Sequence, residues 1–335
     1  MQAAIYGLSG PELTADERAF FQEVDPAGYI MFRRNCETRE QLLSLTDALR
    51  DIHGRADLPI LIDQEGGRVA RMQPPEWPSF PRGEAFDRLY ARAPSSAIEA
   101  ARMNARAIAL VLKAAGVNVN CLPMLDVRQP GASDIVGDRA MGAEPMQVAA
   151  LGRAVLDGMA SAGVVGVVKH IPGHGRALVD SHKELPVITA SAEELEIDLE
   201  PFERLREAPM GMVAHILFTA WDAERPSSQS PRIIEEIIRG RIGFNGFLMT
   251  DDINMEALSG SVGERSSAAL AAGCDAALHC SGKLDEMVDV AGHVGALTPE
   301  GEARLARAMA GAMVDDEGPE LAEATAKRDE LLALV

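Results

Sequence analysis

Short apolar runs alternate with longer stretches of helical periodicity along the whole chain. The runs Ala3–Leu8, Gly28–Phe32, Leu58–Asp63, Val117–Leu125, Val164–His170, Met210–Leu217, Gly246–Asp251 and Ala276–Cys280 predict strands. Apolar residues fall on both of their faces, as in strands covered on two sides. Between them, Gln41–Gly54, Ser96–Gly116, Pro145–Gly163, Ala192–Glu207, Ile233–Gly243 and Glu264–Gly273 predict helices. Several close on Gly, where a left-handed C-cap would sit. About eight strand–helix units of this kind predict an α/β fold, a (β/α)8 barrel of the TIM type. A doubly wound open sheet is the alternative. The stretch 299–335 is helical and acidic and is predicted to pack outside the barrel. No repeat or linker marks a boundary, so 1–335 reads as a single catalytic domain.

Polar residues interrupt this pattern at the strand ends. They are Arg33, Arg34 and Asn35, then Asp63, Asp126, Lys169 and His170, His215, and Asp251. Active sites of such barrels lie at the C-terminal ends of the strands, so these side chains are expected to face one mouth. The densest group is Lys169-His170-Ile171-Pro172-Gly173-His174-Gly175 followed by Asp180-Ser181-His182. It reads as a buried strand running into a loop that carries chemistry.

Asp63 opens the segment Asp63-Gln64-Glu65-Gly66-Gly67-Arg68, with Arg71 close behind. A carboxylate beside guanidinium groups stays ionised and suits the gripping of hydroxyl groups. A structural salt bridge is the plainer reading. Asp251, ending another strand, could attack an electrophilic carbon or stabilise a positive one. Asp252 is expected to point elsewhere and cap the next segment.

Three readings of the histidines stand side by side. In one, His170, His174, Asp180 and His182 hold a metal in a hydrolase, although Pro172 and Gly173 break the helical ligand spacing. In another, Lys169 forms a Schiff base. In the third, one histidine is an acid/base while Lys169 and His170 hold substrate. An aspartate two residues from a histidine can fix its tautomer and raise its basicity.

Composition narrows the partners. The net charge is −19, from 51 acidic against 32 basic side chains, which argues against nucleic acid or an anionic membrane surface. Cys36, Cys121, Cys274 and Cys280 are scattered and form no CxxC pair, so neither a disulfide framework nor a thiolate zinc site is expected. The N-terminal Met1–Gly7 lacks a basic region, and no apolar run is long enough to span a bilayer. A cytoplasmic location is expected.

Together these segments resemble the bacterial β-N-acetylhexosaminidases of glycoside hydrolase family 3, in their short, single-domain NagZ type. The family signature is similar to Lys169–Gly175 with Asp180-Ser181-His182. The stretches Asp63–Arg71, Gly137-Asp138-Arg139, Thr250-Asp251-Asp252 and Ala271-Ala272-Gly273-Cys274-Asp275 match as well. Small departures are Ile171 for an aromatic, Gln64 where histidine is frequent, and Ala140-Met141 after Arg139.

The resemblance implies a retaining, cofactor-free and metal-free exo-β-N-acetylglucosaminidase. Asp251 would be the nucleophile, His182 the general acid/base and Asp180 its partner. Asp63, Arg71, Arg139, Lys169 and His170 would hold the N-acetylglucosamine. An unperturbed imidazole pKa of roughly 6.5 suits both proton transfers near neutral pH. Longer family members carry the acid/base on a second domain, and no such domain is expected in this sequence. The implied substrates are GlcNAc-1,6-anhydroMurNAc muropeptides of peptidoglycan recycling, acted on by a monomer with no nucleic-acid or membrane partner. Hydrolysis and phosphorolysis both remain open.

Overall fold

The computed structural model describes residues 1–181, 183–313, 316 and 318–335. Eight parallel strands close into a barrel: β1 (Gln2–Gly7), β2 (Pro26–Met31), β3 (Ile60–Ile62), β4 (Val119–Asn120), β5 (Val165–Ile171), β6 (Met210–Val213), β7 (Phe247–Asp252) and β8 (Ala276–His279). Each strand pairs with its neighbours in sequence, and β8 pairs with β1 through Ala4↔Ala277, Ile5↔Leu278 and Tyr6↔His279. The predicted barrel is therefore the observed one, and the open-sheet alternative is not adopted.

Helices α1 (Ala15–Val24), α2 (Arg39–His53), α3 (Gly83–Arg92), α4 (Pro94–Ala114), α5 (Pro145–Ala160) and α6 (Ala192–Arg204) surround the first six strands. A wide helix, Ile233–Arg241, follows, then α7 (Val262–Ala272), α8 (Leu284–His293), α9 (Pro299–Met309) and α10 (Leu321–Leu332). Their ends follow local chemistry. Thr14, Ser191 and Ser261 form capping boxes with Glu17, Glu194 and Glu264, and Pro stands in the first turn of α4, α5 and α9. Gly54 and Gly273 take the left-handed C-cap conformation. In the tail, Arg328 reaches the buried Asn104 of α4, and Arg106 donates to the Pro319 carbonyl.

Strand parity determines what lies inside the barrel. Successive side chains of a strand point to opposite faces. One apolar cluster fills the interior with Leu61, Val167, Met210, Met212, Met249 and Leu278. A separate cluster of Ile60, Ile62, Val168, Val213 and Leu248 packs beneath the helices. Asp63, Lys169 and Asp251 stand two residues beyond Leu61, Val167 and Met249, so the same parity brings them to the interior at the C-terminal rim. The strands place a polar ring on an apolar plug.

Two strands are shorter than the apolar pattern predicts. The run Val117–Leu125 pairs regularly only at Val119–Asn120, because Pro123 has no N–H to give the ladder. Beyond Asn120, β5 still donates to the carbonyls of Leu122 and Pro123, and Leu125 N–H donates to the Lys169 carbonyl. The run Met210–Leu217 leaves the barrel after Val213, and Leu217–Phe218 pairs with Val187–Ile188 in a separate ribbon.

Candidate active site

The rim surrounds a cavity of about 220 Å³. Asp63, Arg71, Arg139, Lys169, His170 and Asp251 all line it, with Phe32 and Met212 among its apolar walls. The structure thus brings together six of the eight site residues expected from sequence. Asp180 is half-buried on the adjoining loop, and its neighbour Ser181 lines the cavity. His182 lies outside the described residues.

Two carboxylates and three cations form a buried lattice on one side. Lys169 Nζ lies 2.8 Å from both Asp63 Oδ1 and Glu65 Oε1. Arg71 donates to Asp63 Oδ2 at 3.1 Å, and Arg139 holds Glu65 through two bonds of 2.7 and 2.9 Å. Burial alone would raise the Asp63 pKa, but Lys169 and Arg71 outweigh it and bring it down to about 2. Glu65 is likewise held below the carboxylate range: Arg139 and Lys169 override its burial. Burial also presses on the Lys169 ammonium, yet Asp63 and Glu65 raise its pKa above the ordinary lysine value. A permanently protonated amine is a poor Schiff-base nucleophile, so this lattice speaks against that reading of Lys169.

On the other side stands an Asp–His–Asp array. The fully buried Asp126 takes His170 Nδ1 at 2.7 Å and the backbone N–H of His174 at 2.6 Å. His170 Nε2 then lies 4.0 Å from Asp251 Oδ2. Burial works to raise the Asp251 pKa, but His170, His215 and Lys169 together bring it below the ordinary aspartate value. Asp251 is therefore ionised at neutral pH. The peptide Lys169–His170 is cis.

Asp252 caps the next turn as expected, by accepting N–H groups of Asn254 and Cys280. It also lines the cavity beside Asp251, because the strand register shifts between Met249 and Asp252, so the expectation that it points elsewhere is corrected. Burial raises its pKa to about 6. His215 is buried, with Nδ1 2.6 Å from Ser228 Oγ and Nε2 3.1 Å from the Asp252 carbonyl. It braces the end of β7 from behind.

Not every strand-end polar residue faces the mouth. Arg34 donates to the carbonyls of Leu8 and Cys280, and Asn35 to those of Leu8 and Gly10. These side chains stitch the ends of β8, β1 and β2 together. The expectation that the whole set converges on one opening is corrected here: Arg33, Arg34, Asn35, Asp126 and His215 do not line the cavity. Gln64, where the resembling family often has histidine, is also a brace. Its side chain binds Arg71 N–H and both polar backbone groups of Met72. Arg139 lines the cavity as expected, with its guanidinium committed to Glu65.

The metal reading required His170, His174, Asp180 and His182 to converge. Among the described residues no three His, Cys, Asp or Glu side chains form a metal-holding group. His170 Nδ1 is committed to Asp126, and His174 Nε2 lies 3.2 Å from Ser181 Oγ.

Residues missed by sequence reasoning are Glu65 and the pairing of Asp126 with His170. Glu65 follows Asp63 at a spacing of two, the period of a strand, so parity was its available signal.

The family model for the N-terminal domain of glycosyl hydrolase family 3 matches residues 4–310. A β-hexosaminidase of Bordetella avium is 37% identical over 281 residues, covering 82% of this chain and 79% of its own. One from Methylococcus capsulatus is 39% identical over 282 residues, covering 83% and 82%. Among solved structures, NagZ from Neisseria gonorrhoeae in complex with N-trifluoroacetyl-D-glucosamine superposes with a TM-score of 0.87 at 28% identity, covering 99% of this chain and 98% of that one.

Proposed function

The chain belongs to glycosyl hydrolase family 3, and on that premise we propose that it is a retaining exo-β-N-acetylglucosaminidase. One observation carries this reading. The ionised Asp251 carboxylate, at the C-terminal end of β7, lines the same cavity as the Asp63–Arg71–Lys169 lattice. A carboxylate below and fixed donors and acceptors beside it suit a terminal sugar ring whose anomeric carbon faces Asp251. The cavity volume of about 220 Å³ fits one N-acylated monosaccharide better than an extended chain.

In the first step an Asp251 oxygen attacks the anomeric carbon from below while an acid protonates the departing glycosidic oxygen. The products are a glycosyl ester on Asp251 and the free aglycone. In the second step the conjugate base takes a proton from water, and the water oxygen displaces Asp251 with overall retention. The acid/base role is assigned to His182, with Asp180 as its partner, on the sequence motif. Asp63 accepts from sugar hydroxyls, and Arg71, Lys169 and His170 donate to sugar oxygens. Arg139 acts within the same wall through Glu65.

The whole chain is read as one catalytic unit. The reading extends to β-linked N-acetylglucosamine on 1,6-anhydroMurNAc muropeptides, cleaved in the cytoplasm by a monomer. The sequence resemblance supports this extension, while the N-acyl glucosamine bound by the similar gonococcal protein supports the sugar. Among the described residues no helix is long and apolar enough to cross a membrane.

The test is release of aryl alcohol from an aryl β-N-acetylglucosaminide and from the matching β-glucoside, with and without chelator. Chelator-resistant release from the first alone is expected. Activity lost to chelator would return the metal-hydrolase reading through His170, His174, Asp180 and His182.

A further inference from the structure

The loop after β5 is fastened to the barrel at several points. Asp126 accepts the His174 N–H, and the Ala177 carbonyl accepts from Ser133 N–H at 2.8 Å. Gly175 presses so closely on Val127 that a Cβ there would overlap the Val127 carbonyl oxygen. Arg176 pairs with Asp198 of α6 at 2.6 Å. The chain then swings outward, leaving Leu178 71% exposed, and returns at Ser181, which is only 2% exposed. At that return His174 Nε2 lies 3.2 Å from Ser181 Oγ. The proposed mechanism gives His174 no role, although it is a buried imidazole on the cavity wall.

We propose that His174 is a positioning residue: through Ser181 it anchors the outer end of this loop and so sets the Asp180 side of the acid/base pair against the sugar cavity. The inference rests on the assignment of acid/base chemistry to Asp180 and His182.

The chemistry of the contact favours a fixed anchor. Burial, with His170 beside it, lowers the His174 pKa to about 4, so the ring is neutral wherever the enzyme would work near neutral pH. Its Nδ1 has no hydrogen-bond partner among the described residues. With the proton on Nε2, the ring donates to Ser181 Oγ and the orphan at Nδ1 is only a lone pair. The other tautomer would bury an unpaired N–H, which folded proteins tolerate less. His174 therefore donates and Ser181 accepts. One buried carboxylate, Asp126, thus holds His170 beside Asp251 and also the backbone of the residue that anchors the loop.

An anchor of this kind has a signature distinct from general structural damage. Proton donation matters for a poor leaving group and little for a good one, and kcat/KM reports the glycosylation step. The experiment measures kcat/KM for methyl and 2,4-dinitrophenyl β-N-acetylglucosaminides, and the inhibition constant of free N-acetylglucosamine. It compares the wild type with Ser181→Ala, His174→Ala, the double variant, Ser181→Thr and His182→Ala. Loss of one neutral hydrogen bond predicts a fall of about 10-fold on the methyl glycoside for Ser181→Ala. The dinitrophenyl substrate and the inhibition constant should change less than about 2-fold. The double variant should be no worse than His174→Ala, because the two residues share one interaction. Ser181→Thr keeps the hydroxyl and should recover the activity.

Equal losses on both substrates, or losses that multiply in the double variant, overturn the anchor. If His182→Ala shows the leaving-group dependence while Ser181→Ala does not, the anchor alone falls and the acid/base assignment stands. If His182→Ala shows none, the assignment fails and takes this inference with it. Ser181→Ala removes a single oxygen, so a folding failure of His174→Ala does not obscure the result.

Discussion

His170 presents its Nε2 to the Asp251 carboxylate at 4.0 Å, and it does so because Asp126 grips the other ring nitrogen at 2.7 Å. Without Asp126 the ring would be free to rotate about its own bonds, and the surroundings that keep Asp251 ionised would loosen. Asp126→Leu replaces the two carboxylate oxygens with methyl groups and so removes the acceptor. It should lower kcat/KM by about 10- to 100-fold, the range set by losing a charge-assisted hydrogen bond. Steady-state kinetics with an activated aryl glycoside measures this, and a variant within 2-fold of the wild type would show that the ring does not need Asp126.

The lattice around Lys169 predicts a stability effect as well as a binding effect. Lys169→Met keeps the apolar stem but leaves Asp63 and Glu65 facing each other with only Arg71 and Arg139 to offset them. Breaking a buried pair from one side typically costs about 3–5 kcal/mol. Urea denaturation should show a loss of that order, together with weaker inhibition by N-acetylglucosamine. A midpoint unchanged from the wild type would mean the charges are far better solvated than their burial implies.

Acid acts on the stability of this fold through several buried groups. His174 is neutral when folded, with its pKa brought by burial to about 4 against 6.5 for the free side chain. Between those values the unfolded chain binds more protons, so stability falls as pH drops from 6.5 towards 4. This single group contributes about 3 kcal/mol to the loss. His215 and His279 are lowered by burial too and act in the same sense. Asp63, brought to about 2 by Lys169 and Arg71 against its burial, adds stability at neutral pH that is lost as pH falls through the unfolded aspartate range towards 2. Asp252 and Asp198, whose pKa values burial raises to about 6, gain stability over the same range as the histidines lose it and offset them in the total. The test is therefore the difference between wild type and His174→Gln in denaturant stability, which should shift against the wild type as pH falls from 7.5 to 4. A difference independent of pH would contradict neutral burial of the histidine.

Gly175 is the glycine of the loop motif whose small size has a visible cause. Adding a methyl group would drive it into the Val127 carbonyl, so Gly175→Ala must displace the loop or the rim of β4. Overpacking of this kind costs about 1–3 kcal/mol. The barrel should survive by circular dichroism while kcat/KM falls by about 10-fold or more. Unchanged activity would mean that the loop position carries no catalytic weight.

Much of this arrangement is legible in the sequence because period-2 parity converts strand ends into geometry. Once Leu61, Val167 and Met249 are interior, Asp63, Lys169 and Asp251 must be interior one step further. The pairing of Asp126 with His170 is harder to read, because it depends on the offset between β4 and β5, and Pro123 removes the regular ladder that would define it. Arg34 and Asn35 look like site residues in sequence, yet they serve loop carbonyls at the rim, where backbone acceptors left by the strand ends need donors. Glu65 escaped notice because its neighbour Asp63 already accounted for the motif, and a charge bridging two cations has no sequence signature of its own.

The central claim is that Asp251 becomes covalently bonded to the sugar. The most direct measurement is intact-protein and peptide mass spectrometry after exposure to a 5-fluoro N-acetylglucosaminyl fluoride, which slows release of a glycosyl ester. The account predicts one sugar added per chain, located on the peptide containing Asp251 and absent in Asp251→Asn, whose turnover should fall by roughly four orders of magnitude. A label on another residue, or turnover by an unlabelled enzyme with Asp251→Asn still active, would contradict it.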